Sequence, residues 1–281
     1  MIDQHRTTEE QTTARNASSP LIMGVLNITP DSFSDGGCFV DHMHAVDHAV
    51  QMIELGADII DIGAESTKPG SLGVSDAKEW ERLEPVLAKI SAIVQPGKIS
   101  IDTKKPDIML KALHYGVAMI NNVSGLADPG TLSQLAKESQ VSYIAMHMAG
   151  TPETMQINPL KAGEVTLAID RFCDASYNAL LNAGFSHQRI YLDPGIGFGK
   201  TVAANIRILA HVFELTKKYN VAIGVSRKSW IGHALEIELP IDRDIPTKMV
   251  ELGMIFAGVR LIRTHEVRLL KKLRDFWRGD A

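Results

Sequence analysis

The sequence predicts an α/β protein built as a single (β/α)8 barrel. Two observations carry that prediction. Eight short apolar runs alternate with helical stretches, and each run leads to a polar residue that can do chemistry. The runs are LIMGVLN from Leu21, DIIDIG from Asp58, KISID from Lys98, AMINN from Ala118, SYIAMH from Ser142, RIYLD from Arg189, VAIGVS from Val221 and RLIRTH from Arg260. Such continuous apolar runs suit strands buried on both faces, as in a parallel sheet. The polar ends are, in order, Asn27, Glu65, Asp102, Asn121, His147, Asp193, Ser226-Arg227-Lys228, and Arg263 with His265. In a closed barrel these ends meet around one axis. In a doubly wound sheet, the other architecture the pattern allows, they spread along an edge.

The intervening segments read as helices. Val46, Val50 and Ile53 form a stripe that ends at Gly56. Trp80, Leu83, Val86, Leu87, Ile90 and Val94 keep a helical period after Ser75, which predicts an N-cap there. Pro106 stands where a helix would start and Gly116 where it would stop. A weak repeat supports the parsing. Gly56-Ala-Asp-Ile-Ile-Asp61, Gly116-Val-Ala-Met-Ile-Asn121 and Gly258-Val-Arg-Leu-Ile-Arg263 each run from glycine through a turn and an apolar pair to a polar residue. The glycine would supply the left-handed position that closes a helix.

Composition narrows the class. The chain has 281 residues, 45% hydrophobic and 22% charged, which is ordinary for a globular protein. Its 29 basic and 33 acidic side chains leave a net charge of −4, so no nucleic-acid partner is expected. No apolar run is long enough for a membrane span. Cys38 and Cys173 form neither a disulfide framework nor a zinc pattern and fit a reducing compartment, so a cytoplasmic location is expected. Residues 1–18 lack an apolar centre and read as a flexible lead-in to a barrel over 19–281.

Several motifs carry chemistry. DPGIGFGKT, from Asp193 to Thr201, is neither a P-loop nor a dinucleotide fingerprint, because Pro194 breaks the first and GxGxG spacing the second. It reads as a strand end, Asp193, followed by a glycine-rich loop. A carboxylate there can accept two hydrogen bonds from a guanidine-like ligand edge, or cap a turn. Asp102 and Asn121 end the neighbouring third and fourth runs; with Asp193 they suit a flat heterocycle rich in N–H donors, or cap the following helices. Arg227 and Lys228 follow the seventh run, and Arg263-Thr264-His265 ends the eighth. Barrels commonly bind phosphate at these two loops, so the four potential cations suggest an anion site. The loops NITPDSFSDGG, from Asn27 to Gly37, and ESTKPGS, from Glu65 to Ser71, could act as lids. His42, His44 and His48 lie on a helical stripe and do not suggest a metal site. His147, between two methionines, reads as a packed strand-end histidine.

Taken together, these blocks resemble the dihydropteroate synthase family. The matching segments are GVLNITPDSFSDGG, GADIIDIGAESTKPGS, SIDTKKP, MINNVSG, MHMAGTPETMQ, LDPGIGFGK, GVSRKS and LIRTHEV, in the family's order from about Leu21 to beyond Val267. The resemblance implies condensation of a hydroxymethyl-dihydropterin pyrophosphate with p-aminobenzoate, giving 7,8-dihydropteroate in folate synthesis. It implies that Asp102, Asn121 and Asp193 bind the pterin donor edge and Lys228 its carbonyl side, with Met146 and Phe198 packed on the ring. Asn27 would hold Mg²⁺. Arg263, Thr264 and His265 would meet the diphosphate. Phe33, Thr67, Pro69 and Ser229 would surround p-aminobenzoate. Catalytic weight would fall on Asp102, Lys228, Arg263 and His265. The partners implied are small molecules and a second copy in a homodimer. This sequence departs from the family pattern at Lys68, where arginine is usual, at Asn122, where aspartate is usual, and over Ile241–Met254, a frequent dimer contact. Those departures leave open a pterin-binding paralogue with weak or no synthase activity. A pterin-dependent methyltransferase is a further alternative on the same barrel.

Overall fold

The computed structural model describes residues 19–28, 38–68, 70–138 and 140–279, with the side chains of 38–41 excepted. Eight parallel strands close into a barrel in chain order, β1 pairing with both β2 and β8. They are β1 (Leu21–Asn27), β2 (Ile59–Gly63), β3 (Ile99–Asp102), β4 (Met119–Asn122), β5 (Ser142–Met146), β6 (Ile190–Asp193), β7 (Asn220–Gly224) and β8 (Leu261–Thr264). The helices that follow are α1 (Cys38–Glu54), α2 (Asp76–Ile93), α3 (Pro106–Ala112), α4 (Pro129–Lys137), α5 (Val165–Ala183), α6 (Val202–Thr216), α7 (Ser229–Leu235), α8 (Asp244–Phe256) and α9 (Val267–Arg278). No helix among the described residues is long and apolar enough to cross a membrane.

The expected punctuation is present. Ser75 caps α2, its side chain accepting from the Lys78 N–H at 3.3 Å. Pro106 opens α3. Gly56, Gly116 and Gly258 all have left-handed φ, at 103°, 70° and 81°, so the three repeated turns share one backbone device. The lead-in expected over residues 1–18 lies outside the described residues.

Strand alternation divides the apolar residues into two cores. Met23, Ile59, Met119, Ile144, Ala222 and Leu261 point inward and plug the barrel, with Leu21 and Tyr191 against them. Ile22, Ile60, Ile62, Ile101, Ile120, Leu192, Ile223 and Ile262 point outward and bury themselves under the helices. Continuing the inward parity along each strand gives Asp61, Asp102, Asn121, Met146, Asp193 and Arg263. Register aligns them: Gly63 faces Asp102, Asp102 faces Asn121, Met146 faces Asp193, and Gly224 faces Arg263. Asp102, Asn121, Met146, Asp193 and Arg263 therefore form a layer above the apolar plug, with Asp61 one inward position lower, level with Ser100.

Candidate active site

A cavity opens at the C-terminal mouth of the barrel. Its walls are Val25, Thr67, Asp102, Asn121, Val123, Met146, Asp193, Phe198, Gly224, Ser226, Lys228, Arg263 and His265. Nine of these are residues that the sequence nominates for the site.

Arg263 spans the floor. Its Nε donates to Asp61 Oδ2 at 2.6 Å and its Nη2 to Asp102 Oδ2 at 3.1 Å. Asn121 Nδ2 donates to the same Asp61 oxygen at 2.9 Å. Burial pushes the Asp102 carboxyl up to about 7, against the downward pull of Arg263; the neighbouring carboxylates of Asp61, Glu79 and Glu65 add to the rise. Burial likewise raises Asp193, opposed chiefly by Lys228. The Arg263 guanidinium is itself disfavoured by burial, yet Asp61 and Asp102 hold it above its ordinary range.

Lys228 enters from the far wall. Its Nζ donates to the Ile196 carbonyl at 2.5 Å and lies 4.5 Å from the centre of the Phe198 ring. Burial brings its amine down to about 8, and Asp193 resists that fall. Its approach depends on Arg227, which adopts a left-handed φ of 59° that is rare outside glycine. Three contacts hold that turn. The guanidinium grips Asp244 through two 2.8 Å bonds, the N–H meets Thr247 Oγ1 at 3.3 Å, and the carbonyl accepts from Arg243 at 3.1 Å.

The DPGIGFGKT loop forms the remaining wall. The Gly195 N–H donates to Asp193 Oδ1 at 2.6 Å and fixes that carboxylate. A Cβ at Gly195 would lie 1.9 Å from the His147 carbonyl oxygen at a φ of +66°, so no other residue fits. Lys200, buried in the loop, donates to the carbonyls of His147, Gly195 and Phe198 at 2.8–3.2 Å. Its lysine is therefore a strut, where a phosphate loop would turn it to a ligand. Asn205 Oδ1 accepts from the Gly197 N–H at 2.7 Å and ties the loop to α6.

The expectations for Thr264, for the four potential cations and for the charge at Asn122 need correction. Thr264 is not in the cavity: the residue after Arg263 has the opposite parity, and its hydroxyl accepts from Lys248 on α8 at 2.8 Å. Arg227 is spent on Asp244. His265 lines the cavity, its Nδ1 3.0 Å from Ser226 Oγ, but burial and the charges of Arg263 and Arg227 push it down to about 3. It is neutral at physiological pH, so the four potential cations reduce to Lys228 and Arg263. Asn122 faces outward, donating to the Tyr143 hydroxyl at 2.8 Å and accepting from Ser124, so the asparagine there removes no charge from the cavity. Ser229 is the first residue of α7, exposed and outside the cavity wall. Asn27 ends β1 and is exposed. Lys68 is exposed. Phe33 and Pro69 lie outside the described residues.

Sequence reading missed Asp61 as a site residue and named Glu65 at the end of the second run instead. Parity held the signal: Ile59, Asp61 and Gly63 share one face of the strand. Glu65 lies beyond the strand and anchors the second loop. Its Oε1 meets Lys104 at 2.7 Å, its Oε2 meets Lys105 at 2.7 Å, and it accepts from the Val74 N–H at 3.1 Å. Lys105 continues to Glu79 on α2 at 2.5 Å and to the Val74 carbonyl at 2.5 Å.

Known proteins are similar to this chain in sequence and fold. The family model described as pterin binding enzyme matches residues 23–265. The chain belongs to that family. Within it the similarity is to dihydropteroate synthases. The synthase of Neisseria meningitidis serogroup C is 41% identical over 262 residues, covering 92% of each chain. The Xanthomonas albilineans synthase with 4-aminobenzoic acid superposes with a TM-score of 0.84 at 37% identity, again covering 92% of each chain. The same organism's enzyme in complex with 7,8-dihydropteroate gives a TM-score of 0.81 at 35% identity, covering 92% of this chain and 93% of that one. The solved relatives thus include complexes with 4-aminobenzoic acid and with 7,8-dihydropteroate.

Proposed function

We propose that the protein is a dihydropteroate synthase, joining 6-hydroxymethyl-7,8-dihydropterin diphosphate to p-aminobenzoate. The observation that carries this reading is the layer of Asp102, Asn121 and Asp193 beside Lys228 and Arg263 at one barrel mouth. Two carboxylates and a carboxamide accept from the N–H-rich edge of a pterin, and two cations meet the diphosphate that leaves it.

The bond from the exocyclic methylene carbon to the diphosphate oxygen breaks, and the amine nitrogen of p-aminobenzoate bonds to that carbon. The amine sheds a proton to solvent. The oxygen carries its electron pair away as pyrophosphate, beside Arg263. An aromatic amine is nucleophilic while uncharged, so no strong base is needed. Positioning and charge compensation then supply the catalysis. Neutral His265, held by Ser226, offers a hydrogen bond rather than a charge. Thr67, Met146 and Phe198 bound the space for the two rings, with Ser229, Phe33 and Pro69 proposed on the p-aminobenzoate side.

Magnesium enters this reading as part of the diphosphate substrate. The described residues contain no group of three or more histidine, cysteine, aspartate or glutamate side chains that could hold a metal. The single carboxamide of Asn27 fits an ion that keeps phosphate and water oxygens as its other ligands. Bound magnesium would neutralise charge on the leaving group.

The test is turnover. Pyrophosphate release should require both substrates and magnesium, and a sulfonamide should compete with p-aminobenzoate. A folded protein that binds dihydropterin yet releases no pyrophosphate at millimolar substrate would favour the inactive-paralogue reading.

Two further expectations belong here. A homodimer is supported by α8, where Ile245, Met249 and Phe256 are 66%, 73% and 54% exposed along one face. Light scattering should report a dimer at micromolar concentration, and Met249→Asp should shift it to monomer; a monomeric parent protein overturns the proposal. A cytoplasmic location accords with Cys173, which is free and buried, its thiol pushed up to about 12 by burial.

A further inference from the structure

We propose that Asp61 is a positioning residue for the reaction, one buried carboxylate oxygen setting the orientation of both Arg263 and Asn121. The inference rests on the synthase reading above and deepens it. Asp61 sits in mid-strand on β2, turned inward and 0% exposed, one layer beneath the cavity that Asp102 and Asn121 line. Its Oδ2 accepts from Arg263 Nε at 2.6 Å and from Asn121 Nδ2 at 2.9 Å. Its Oδ1 is buried and has no hydrogen-bond partner among the described residues.

The two contacts do different things. A guanidinium is planar, so holding Nε leaves its plane little freedom. The second hold on Arg263, at Asp102, involves a residue that itself lines the cavity and would exchange that contact for a ligand. Asp61 lies below ligand reach and keeps its grip, so Arg263 stays aimed at the diphosphate when Asp102 turns to the pterin. For Asn121, committing Nδ2 to Asp61 leaves Oδ1 as the acceptor for a ring N–H. A purely structural buried aspartate would need neither group to face the cavity.

The substitution Asp61→Asn discriminates well. It keeps the shape but offers both a donor and an acceptor, so the Asn121 amide can flip and Arg263 loses its charged anchor. A charge effect follows as well. Asp102 is faced by Asp61, by Glu65 and Glu79 beyond β2, by Arg263 and by Lys228. Removing the Asp61 charge leaves Arg263 to Asp102 alone, so the acid limb belonging to Asp102 moves to lower pH.

The experiment compares D61N with the parent enzyme, with Asp61→Ser as the second variant should the amide not fold. We expect kcat/KM for the dihydropterin diphosphate to fall by about 10²-fold, as for a misaimed catalytic group. We expect the KM for p-aminobenzoate to hold and the acid limb of the pH profile to shift down. Parent-like kcat/KM with an unmoved limb overturns the proposal, as does a variant that loses only melting temperature. If the parent enzyme itself releases no pyrophosphate, the synthase reading falls separately. Calorimetric binding of the dihydropterin diphosphate then tests Asp61: parent-like affinity in D61N overturns it, and weakened affinity supports it.

Discussion

Lys228→Ala is expected to lower kcat/KM for the dihydropterin diphosphate by about 10²–10³-fold, the range for losing one preorganised charge at a reacting centre. Melting temperature should change little. The reason lies in the cost of the group. Its amine is buried, and burial depresses its affinity for a proton to about 8, opposed by Asp193. A cation whose folded pKa lies below its unfolded value destabilises the fold at low pH, and the penalty is relieved as pH rises past about 8. Deleting it removes that penalty. Its Nζ donates to a carbonyl, but its charge also offsets the buried Asp193 carboxylate, so part of that relief is lost. Activity should accordingly decline on the alkaline side as the amine loses its proton. Steady-state kinetics and circular-dichroism melts on the same preparation check this. Equal losses of affinity and stability would show Lys228 to be a packing residue. Asp193→Asn should behave similarly, weakening pterin binding more than it weakens the fold.

Lys105→Met is expected to do the reverse. Lys105 bridges Glu65 and Glu79, both carboxylates being nearly or fully buried, and the Thr103 hydroxyl donates to the same Glu79 at 2.6 Å. Removing the cation leaves buried Glu79 with the Thr103 hydroxyl and no cation, while Glu65 keeps Lys104 and the Val74 N–H; losing one partner of a buried pair costs about 3–5 kcal/mol. Denaturant unfolding should register a free-energy loss of that size, seen as a lower midpoint. The same network gives an acid signature. Burial pushes Glu65 up, but bonds from Lys104, Lys105 and the Val74 N–H outweigh it and leave the carboxyl below its ordinary range. A depressed carboxyl contributes stability above its unfolded pKa and loses it as pH falls through the folded value. Lys105 is disfavoured by burial and raised on balance by Glu65 and Glu79, so its contribution is present at neutral pH and fades only in strong alkali. The anchor at the foot of the second loop should therefore fail in acid. An unchanged midpoint in Lys105→Met would contradict the network's structural role.

The barrel was legible because its signals are local. A glycine at each of Gly56, Gly116 and Gly258 must go left-handed wherever the helix ends, and the apolar runs report burial on both faces. Strand-end residues whose side chains share the inward parity, Asp102, Asn121, Asp193 and Arg263, were likewise readable. What eluded reading depended on distant partners. Arg227 and Lys228 are adjacent and equally basic, yet Asp244 on α8 takes one and leaves the other to the cavity. His265 carries a potential charge that burial beside Arg263 removes. Thr264 and Arg263 differ by one residue and hence by one face of the sheet. Asp61 was hidden inside an apolar run, where a carboxylate announces itself only once a buried cation from a strand far along the chain is seen against it.

The inward-facing strand ends of this barrel are expected to form a pterin site. Crystals grown with a 6-hydroxymethyl-dihydropterin test it most directly. Density for a flat bicyclic ring should lie at the C-terminal mouth, its N–H edge on Asp102, Asn121 and Asp193 and its carbonyl side toward Lys228. A ring bound elsewhere on the molecule, or a mouth left to solvent at saturating ligand, would contradict it.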